Sequence, residues 1–413
     1  MGTRLDDYLS GVLGAVQPGT LMMPGDTRAA GTVLSAYLQG GLAARIVDAP
    51  AEDALSRGVT VLCDGDAAAE QAMAAEIARL HVPARMTEAL RWARLFGGAA
   101  VMLFADDEAD PQRPLRLSSL SGIAELRVFD AEEITVDQLY DDPADARCGQ
   151  PMVYRVTPRG GGTMFTVHET RLLPLPGAPL PHGMSNGLPW RGRSVLSGCL
   201  EEVQRYQDAL RLSRGMLERK QQAVFGMAGL GDLLRQAAME ADDAANSPLL
   251  ESVRERVRRV DLARNVLNTV VIDAGDQWQV HDLNLSGVSD QIEAFEISIA
   301  ACTGIPVTHL FGRSAAGQNA TGEGDREVYI ALVQAMQRRV LVPALERLVS
   351  LLWQQRGLRA SAPSGWQLFF PPQWIPSETE QADAALKNAQ AALARVQAQV
   401  QAETLSGTAS QTL

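Results

Sequence analysis

His168-Glu169-Thr170 sets an imidazole two residues before a hydroxyl, which is half of the constellation used by two-histidine phosphodiesterases. That chemistry needs one histidine as base and another as acid. No second His-x-Thr or His-x-Ser occurs among the 413 residues, so a solvent-facing or turn-capping histidine is the favoured reading. A phosphodiesterase-like enzyme stays as the alternative. The stretch Thr303–Asp325 is rich in Gly and Ala, as phosphate-cradling loops are, but such loops need Gly-Lys-Ser/Thr opening a helix, and this stretch contains no lysine. Cys63, Cys148, Cys199 and Cys302 lie far apart without a Cys-x-x-Cys pair. Neither a zinc site nor a disulfide framework is indicated, and a reducing compartment fits. The expectation is a protein that is not an enzyme, with no metal and no cofactor.

The charged residues point elsewhere. Asp290, Glu293 and Glu296 are three apart, so a helix would bring them close together on one face, at a cost of a few tenths of a kcal/mol per like-charged pair. A solvated face explains this pattern, and so does a place where negative potential is useful. A second cluster, Arg254, Arg256, Arg258 and Arg259, is interleaved with Glu251, Glu255 and Asp261. The intermixed carboxylates favour protein contacts over a nucleic-acid patch. Across the chain 49 acidic residues face 37 basic ones, a net charge of −12. A protein that grips DNA needs clustered Lys and Arg, so this chain is not built to hold a duplex tightly. An acidic wall would let DNA slide, while a plain solubility role explains the same charge.

The elements that must position these groups are mixed. A hydrophobic fraction of 46% supports real cores and two or three domains. Residues 1 to about 190 suggest an α+β region, with alanine-rich helices near 28–46, 66–80 and 85–96. Strands are expected near 99–104, 125–130, 151–157 and 163–167. From Ser194 to Val224, Leu196, Leu200, Val203, Tyr206, Leu210 and Leu217 predict one amphipathic rod of about 40 Å. Ser247–Arg264 predicts a short helix, and Val266–Asp273 with Gln277–Leu283 a hairpin. Val288, Ile292, Phe295 and Ile299 form the stripe of another helix. Arg326–Gln355 predicts a third long helix, kinked near 339–343 by Pro343. Trp366–Pro372 suggests a strand, and Ser377-Glu-Thr-Glu380 a capping box opening a last helix to about Thr404. The N-terminus lacks a cationic segment followed by an apolar core, and no run of about 18 apolar residues occurs, so neither secretion nor a membrane span is expected.

The loop Thr303–Asp325, flanked by helices, resembles the tunnel loop of tailed-bacteriophage portal proteins, the ring-forming head-tail connectors through which DNA enters and leaves the capsid. Gly41–Asp53, Ala89–Ala100, Val167–Leu173 and Gly192–Leu196 also resemble blocks of one portal subfamily, from about residue 40 to about residue 355. Glu169 and Thr170 depart from that subfamily's His-Pro-Ser-Arg pattern.

The resemblance implies an α+β, mostly helical portal fold. Its parts would be a wing (1–193), a descending stem helix (194–224), a clip (225–286) and an ascending stem helix (287–303). A tunnel loop (304–325), a kinked helix returning to the wing (326–375), a crown helix (376–405) and a disordered tail (406–413) would follow. Arg313, Gln318 and Asn319 would touch DNA in the channel, and Asp290, Glu293 and Glu296 would face it. The four arginines 254, 256, 258 and 259 would contact adaptors. The implied partners are eleven further copies in a dodecamer, double-stranded DNA, a terminase that hydrolyses ATP, a head-tail adaptor, and the major capsid and scaffolding proteins. The implied location is a capsid vertex of the virion, after assembly in the host cytoplasm, with no membrane. Another head-tail ring protein is a rival, though adaptors are usually much shorter.

Overall fold

The structure, a computed structural model, describes residues 27–181, 187–218, 221–226, 277–282, 286–313 and 322–374, with a few isolated positions besides. The chain divides into two compact units, one of residues 1–200 with 300–413 and one of residues 201–299. In the larger unit the alanine-rich patterns become four helices: α1 (Thr27–Leu38), α2 (Gly41–Leu55), α3 (Ala67–Arg79) and α4 (Val82–Phe96). The pattern expected at 28–46 is split because Gly40 and Gly41 adopt φ of 76° and 64°, which ends one helix and starts another. Asp66 caps α3 by accepting from the Ala68 and Ala69 N–H groups.

Between α2 and α3 lies β1 (Thr60–Cys63), which the sequence reading missed. It pairs antiparallel with β10 (Trp366–Phe369), the strand expected at 366–372, joining the two ends of the unit. Strand β2 (Gly98–Asp106) is buried along its first six residues, as its unbroken apolar run requires of a central strand. It lies between β3 (Gly122–Asp130) and β7 (Leu172–Pro176). A second three-stranded sheet orders β4 (Ile134–Leu139), β5 (Pro151–Val156) and β6 (Phe165–His168). Met102, Phe129, Ile134, Tyr154, Val167 and Trp190 belong to one shared core. Strands β4 and β7 also escaped the sequence reading, the first being short and half-exposed, the second interrupted by prolines.

Three chain passes touch backbone to backbone at the start of β2. Helix α4 ends on Gly97 at φ 79°, and the Gly192 N–H donates to the Gly97 carbonyl at 2.5 Å. A Cβ at Gly177 would lie 2.4 Å from the Gly97 carbonyl carbon, and one at Gly192 would lie 2.1 Å from the Ala178 oxygen. Only residues without side chains close this crossing.

A buried ion pair fixes the loop after β2. Arg171 donates to the Asp107 carboxylate at 2.6 Å and to the Arg113 carbonyl at 3.0 Å, and Asp107 also accepts the Arg116 N–H. Burial alone would raise the Asp107 pKa, but the Arg171 hydrogen bond and the backbone N–H groups outweigh it and hold the carboxyl below its usual range.

In the smaller unit, α5 (Leu200–Glu218) is followed by β8 (Gln221–Gly226), which pairs antiparallel with β9 (Gln277–Asp282). The single rod expected from Ser194 to Val224 is therefore corrected at both ends. At its start, Ser194 Oγ accepts the Leu196 N–H and the Ser197 hydroxyl donates to the Ser194 carbonyl, so a 3₁₀ turn forms first. At its end, pairing with β9 overrides the helical preference of Gln221-Gln-Ala-Val224. The described partner of 277–282 is thus 221–226; residues 266–273, proposed for that hairpin, lie outside the described residues. Helix α6 (Val288–Thr303) follows.

Two outcomes test these constraints. Gly192→Ala is expected to lower stability by about 2–3 kcal/mol through overpacking, read as a lower urea midpoint. Arg171→Met leaves Asp107 buried without its cation and is expected to cost about 3–5 kcal/mol. Because the native Asp107 pKa is depressed, the pair's stabilisation is present above the unfolded carboxylate pKa and is lost as pH falls through the native one. The variant's acid-unfolding midpoint should therefore move to higher pH.

Candidate functional site

The glycine- and alanine-rich loop leaves one short helix and enters a long one. Helix α6 stops at Gly304, φ 70°, and Ile305 is buried as the chain turns into α7 (Val307–Phe311). Gly312 closes α7 at φ 68°, Arg313 follows exposed, and Gly322 at φ 72° precedes α8 (Glu323–Met336). Gln318 and Asn319 lie outside the described residues. Both loop ends thus use glycine in the left-handed region, where a side chain would be strained.

The two ends are tied to each other and to α2. Thr308 Oγ1 donates to Asp325 at 2.8 Å, linking α7 to the first turn of α8. His309 stacks on Tyr329 with ring centroids 4.2 Å apart and 17° between planes. Arg45 on α2 donates to the His309 carbonyl at 2.6 Å, and the Tyr329 hydroxyl donates to Asp53, also on α2. Burial first, and the Asp53 carboxylate second, push the Tyr329 phenol well above its usual range, so it stays protonated and donates. Arg326 lies over the Trp374 ring at 3.9 Å. The loop therefore springs from a platform fixed by aromatic stacking and charge-assisted hydrogen bonds.

Beyond α8 the helix widens into a π turn, Gln337–Leu341, before α9 (Val342–Trp353). The Val342 N–H donates to the Gln337 carbonyl five residues back. Pro343 stands in the first turn of α9, and the wider turn before it relieves the ring clash that proline makes with a preceding carbonyl. The buried Gln337 side chain donates to the Ala54 carbonyl at 2.8 Å, tying the π turn to α2.

The three carboxylates of α6 do not share one environment. Asp290 is exposed, Glu293 half-buried and Glu296 buried at 8% exposure. Glu296 sits one turn from Ile299, itself fully buried, so the helix turns that side inward and the expected solvent face loses a member. Leu210, Leu212 and Leu217 of α5 are exposed. Among the arginines assigned to adaptor contacts, Arg258 is exposed, and Arg254, Arg256 and Arg259 lie outside the described residues. Of the last helix, Leu386 is helical and exposed.

His168 caps the short turn Glu169–Arg171. Its Nδ1 accepts the Thr170 N–H at 3.2 Å and lies 3.0 Å from Thr170 Oγ1. The turn-capping expectation holds, while the solvent-facing one does not: His168 is 4% exposed, and burial pulls its pKa down. Among the described residues no group of three or more His, Cys, Asp or Glu is arranged to hold a metal ion, and no helix is long and apolar enough to cross a membrane. Cys63 and Cys199 are buried and Cys148 and Cys302 exposed, all as free thiols; burial pushes the Cys199 thiol up to about 12.

This combination of an α+β body with three small sheets, a strand-paired helical excursion and a loop whose two ends are anchored defines a portal-type subunit. The chain belongs to the phage portal protein family, whose model matches residues 32–394. Its fold is similar to a chain in the neck of an empty GTA particle, at 15% identity, TM-score 0.53, and coverage of 93% of this chain and 94% of that one. A chain from the neck of the native GTA particle, determined with C12 symmetry, matches with TM-score 0.52 over 92% of this chain and 94% of that one, also at 15% identity. Two proteins named Anti-CBASS protein Acb1 are also similar. The one from Sphingomonas paeninsulae is 26% identical over 82% of this chain and 54% of its own length. The one from Caulobacter sp. (strain RHG1) is 26% identical over 74% of this chain and 48% of its own length. The chain thus spans about half the length of these curated relatives.

Tyr329→Phe keeps the ring over His309 but strands the Asp53 carboxylate. The expected cost is about 1–3 kcal/mol, with faster amide exchange confined to residues 305–333. Uniform acceleration across both units would show that the contact has no local role.

Proposed function

We propose that this chain is the subunit of a closed ring at one capsid vertex of a tailed phage, prophage or similar particle, through which double-stranded DNA is packaged and ejected. The observation that carries this is the anchoring of both loop ends, in a chain whose residues 32–394 match the family. The C12 symmetry of the native GTA neck structure supports twelve copies. In this reading residues 1–193 are the wing, α5 and α6 the stem, 225–286 the clip, and 376–405 the crown. The terminase, a head-tail adaptor, and the major capsid and scaffolding proteins are the partners. Arg313, Gln318 and Asn319 meet phosphate as DNA passes, and exposed Asp290 with half-buried Glu293 contributes negative potential that keeps the duplex sliding.

We assign the chain no catalytic step. His168 lends a phosphodiesterase reading no support, since its Nδ1 is spent on the Thr170 backbone and its ring is buried. ATP hydrolysis for packaging belongs to the terminase in this scheme.

Negative-stain images of the purified chain are expected to show rings with a central hole, and native mass spectrometry a dodecamer. A stable monomer at micromolar concentration would remove the portal reading. In particles, shortening Ala315–Ala320 should leave rings intact and reduce packaged DNA or its retention. Asp290→Asn with Glu293→Gln should tighten duplex binding by the ring at low salt, with the gain fading as the Debye length falls to about 8 Å at 0.15 M. Unchanged DNA affinity with altered ring stability would move that face to a subunit interface.

A further inference from the structure

Cys199 and Cys302 stand at the two places where the chain leaves the larger unit and returns to it, on either side of residues 201–299. Cys199 ends the 3₁₀ turn Leu196–Gly198 and is 1% exposed, its thiol donating to the Val195 carbonyl at 3.4 Å. Cys302 lies exposed in the last turn of α6. Three observations bring the two together. The Ser298 hydroxyl of α6 donates to the Glu202 carboxylate of α5 at 3.2 Å. Since α5 leads out to β8 and the antiparallel β9 leads back to α6, the start of α5 meets the end of α6. Cys199 comes one turn before Glu202 and Cys302 one turn after Ser298, so the next pair along that contact is these two thiols. The segments beyond them share a support, because the 3₁₀ turn and α7 both pack on α2, where Arg45 holds the His309 carbonyl. Finally, Cys302 raises the pKa of Cys199, second only to burial, an electrostatic effect that requires a close neighbour.

We propose that Cys199 and Cys302 are a redox pair that closes into a disulfide within one chain when the protein meets a low-molecular-weight disulfide, such as glutathione disulfide, and reopens under reducing conditions. Exposed Cys302 reacts first. It loses its proton and its Sγ attacks one sulfur of glutathione disulfide; the mixed S–S bond forms, the glutathione S–S bond breaks, and one glutathione leaves as a thiolate that takes up a proton. Cys199 then loses its proton and its Sγ attacks the Cys302 Sγ. The bond between the two cysteines forms, the mixed bond breaks, and a second glutathione leaves in the same way. Two protein thiols are oxidised and one glutathione disulfide is reduced to two glutathiones. Burial opposes loss of the Cys199 proton, so the second step is slow and the pair stays open where reductant is plentiful. Once made, the bond encloses residues 201–299 in a covalent loop, just ahead of α7 and the anchored loop end. Cys63 is buried and Cys148 exposed, in β1 and after β4, and neither takes part. This inference does not rest on the ring reading.

Thiol mapping of the full chain tests it. The reduced protein is incubated with glutathione disulfide, unfolded in excess iodoacetamide, and the band of single-chain mass on a non-reducing gel is digested and read by mass spectrometry. Alkylation of Cys199 and of Cys302 is expected to fall together at least tenfold, with a peptide pair joined through these two residues, and dithiothreitol should restore both. Cys302→Ser, at an exposed position, should leave Cys199 fully alkylated after the same treatment, while Cys148→Ser should leave the joined pair unchanged. A glutathione adduct on Cys302 beside a still free Cys199, or disulfides found only between chains, would overturn the proposal.

Discussion

The crossing of Gly97, Gly177 and Gly192 is the constraint on which the larger unit depends. It joins the end of α4, the start of the central strand β2, the chain just past β7 and the link leading to α5 within hydrogen-bond distance of one another. Without side chains at these positions the two sheets close over a shared core. With them, the passes separate by more than close-packed interiors tolerate. Everything that presents the loop is mounted on this frame, because α4 in turn packs on α2, and α2 carries the platform residues.

The platform works by assigning each polar group one partner. Arg45 takes the His309 carbonyl, Asp53 the Tyr329 hydroxyl, Thr308 the Asp325 carboxylate, and Gln337 the Ala54 carbonyl. The Tyr329 phenol, protonated and buried, serves as a donor throughout the physiological pH range. Three of these ties reach α2 and the fourth joins α7 to α8, so both ends of the loop are held. The π turn extends the same logic, since it lets α8 and α9 run as one element across Pro343.

Charge is distributed with similar economy. Asp107 and Arg171 are buried together, Arg191 and Glu132 pair, and the surface pairs on α5, such as Arg211 with Asp208, are exposed and worth little each. Arg94 is held differently, donating to the Val47 and Ile46 carbonyls and lying 3.2 Å from the Met336 thioether.

The α+β class, the alternation of helices with a central buried strand and a glycine- and alanine-rich connection within 303–325 were legible in the sequence, because apolar spacing and glycine placement act over a few residues, and the family was legible through blocks that resemble it; the short helix α7 inside that connection was not foreseen. Even there, short-range reading overran where a longer-range partner decided. Gln221–Val224 looked helical until β9 paired with it, and Glu296 looked solvent-facing until its side of α6 packed inward. Arg45 and Asp53 stood in a block that resembled the family, yet nothing local marked them as anchors for residues more than 250 positions away, and Tyr329 drew no attention on an apolar helix. Tertiary packing alone brought α2 against α7 and α8 and set three glycines against one another. Hydrogen bonds and ion pairs between distant segments depend on how the chain passes are packed, and that packing is a property of the whole core, which no local pattern encodes.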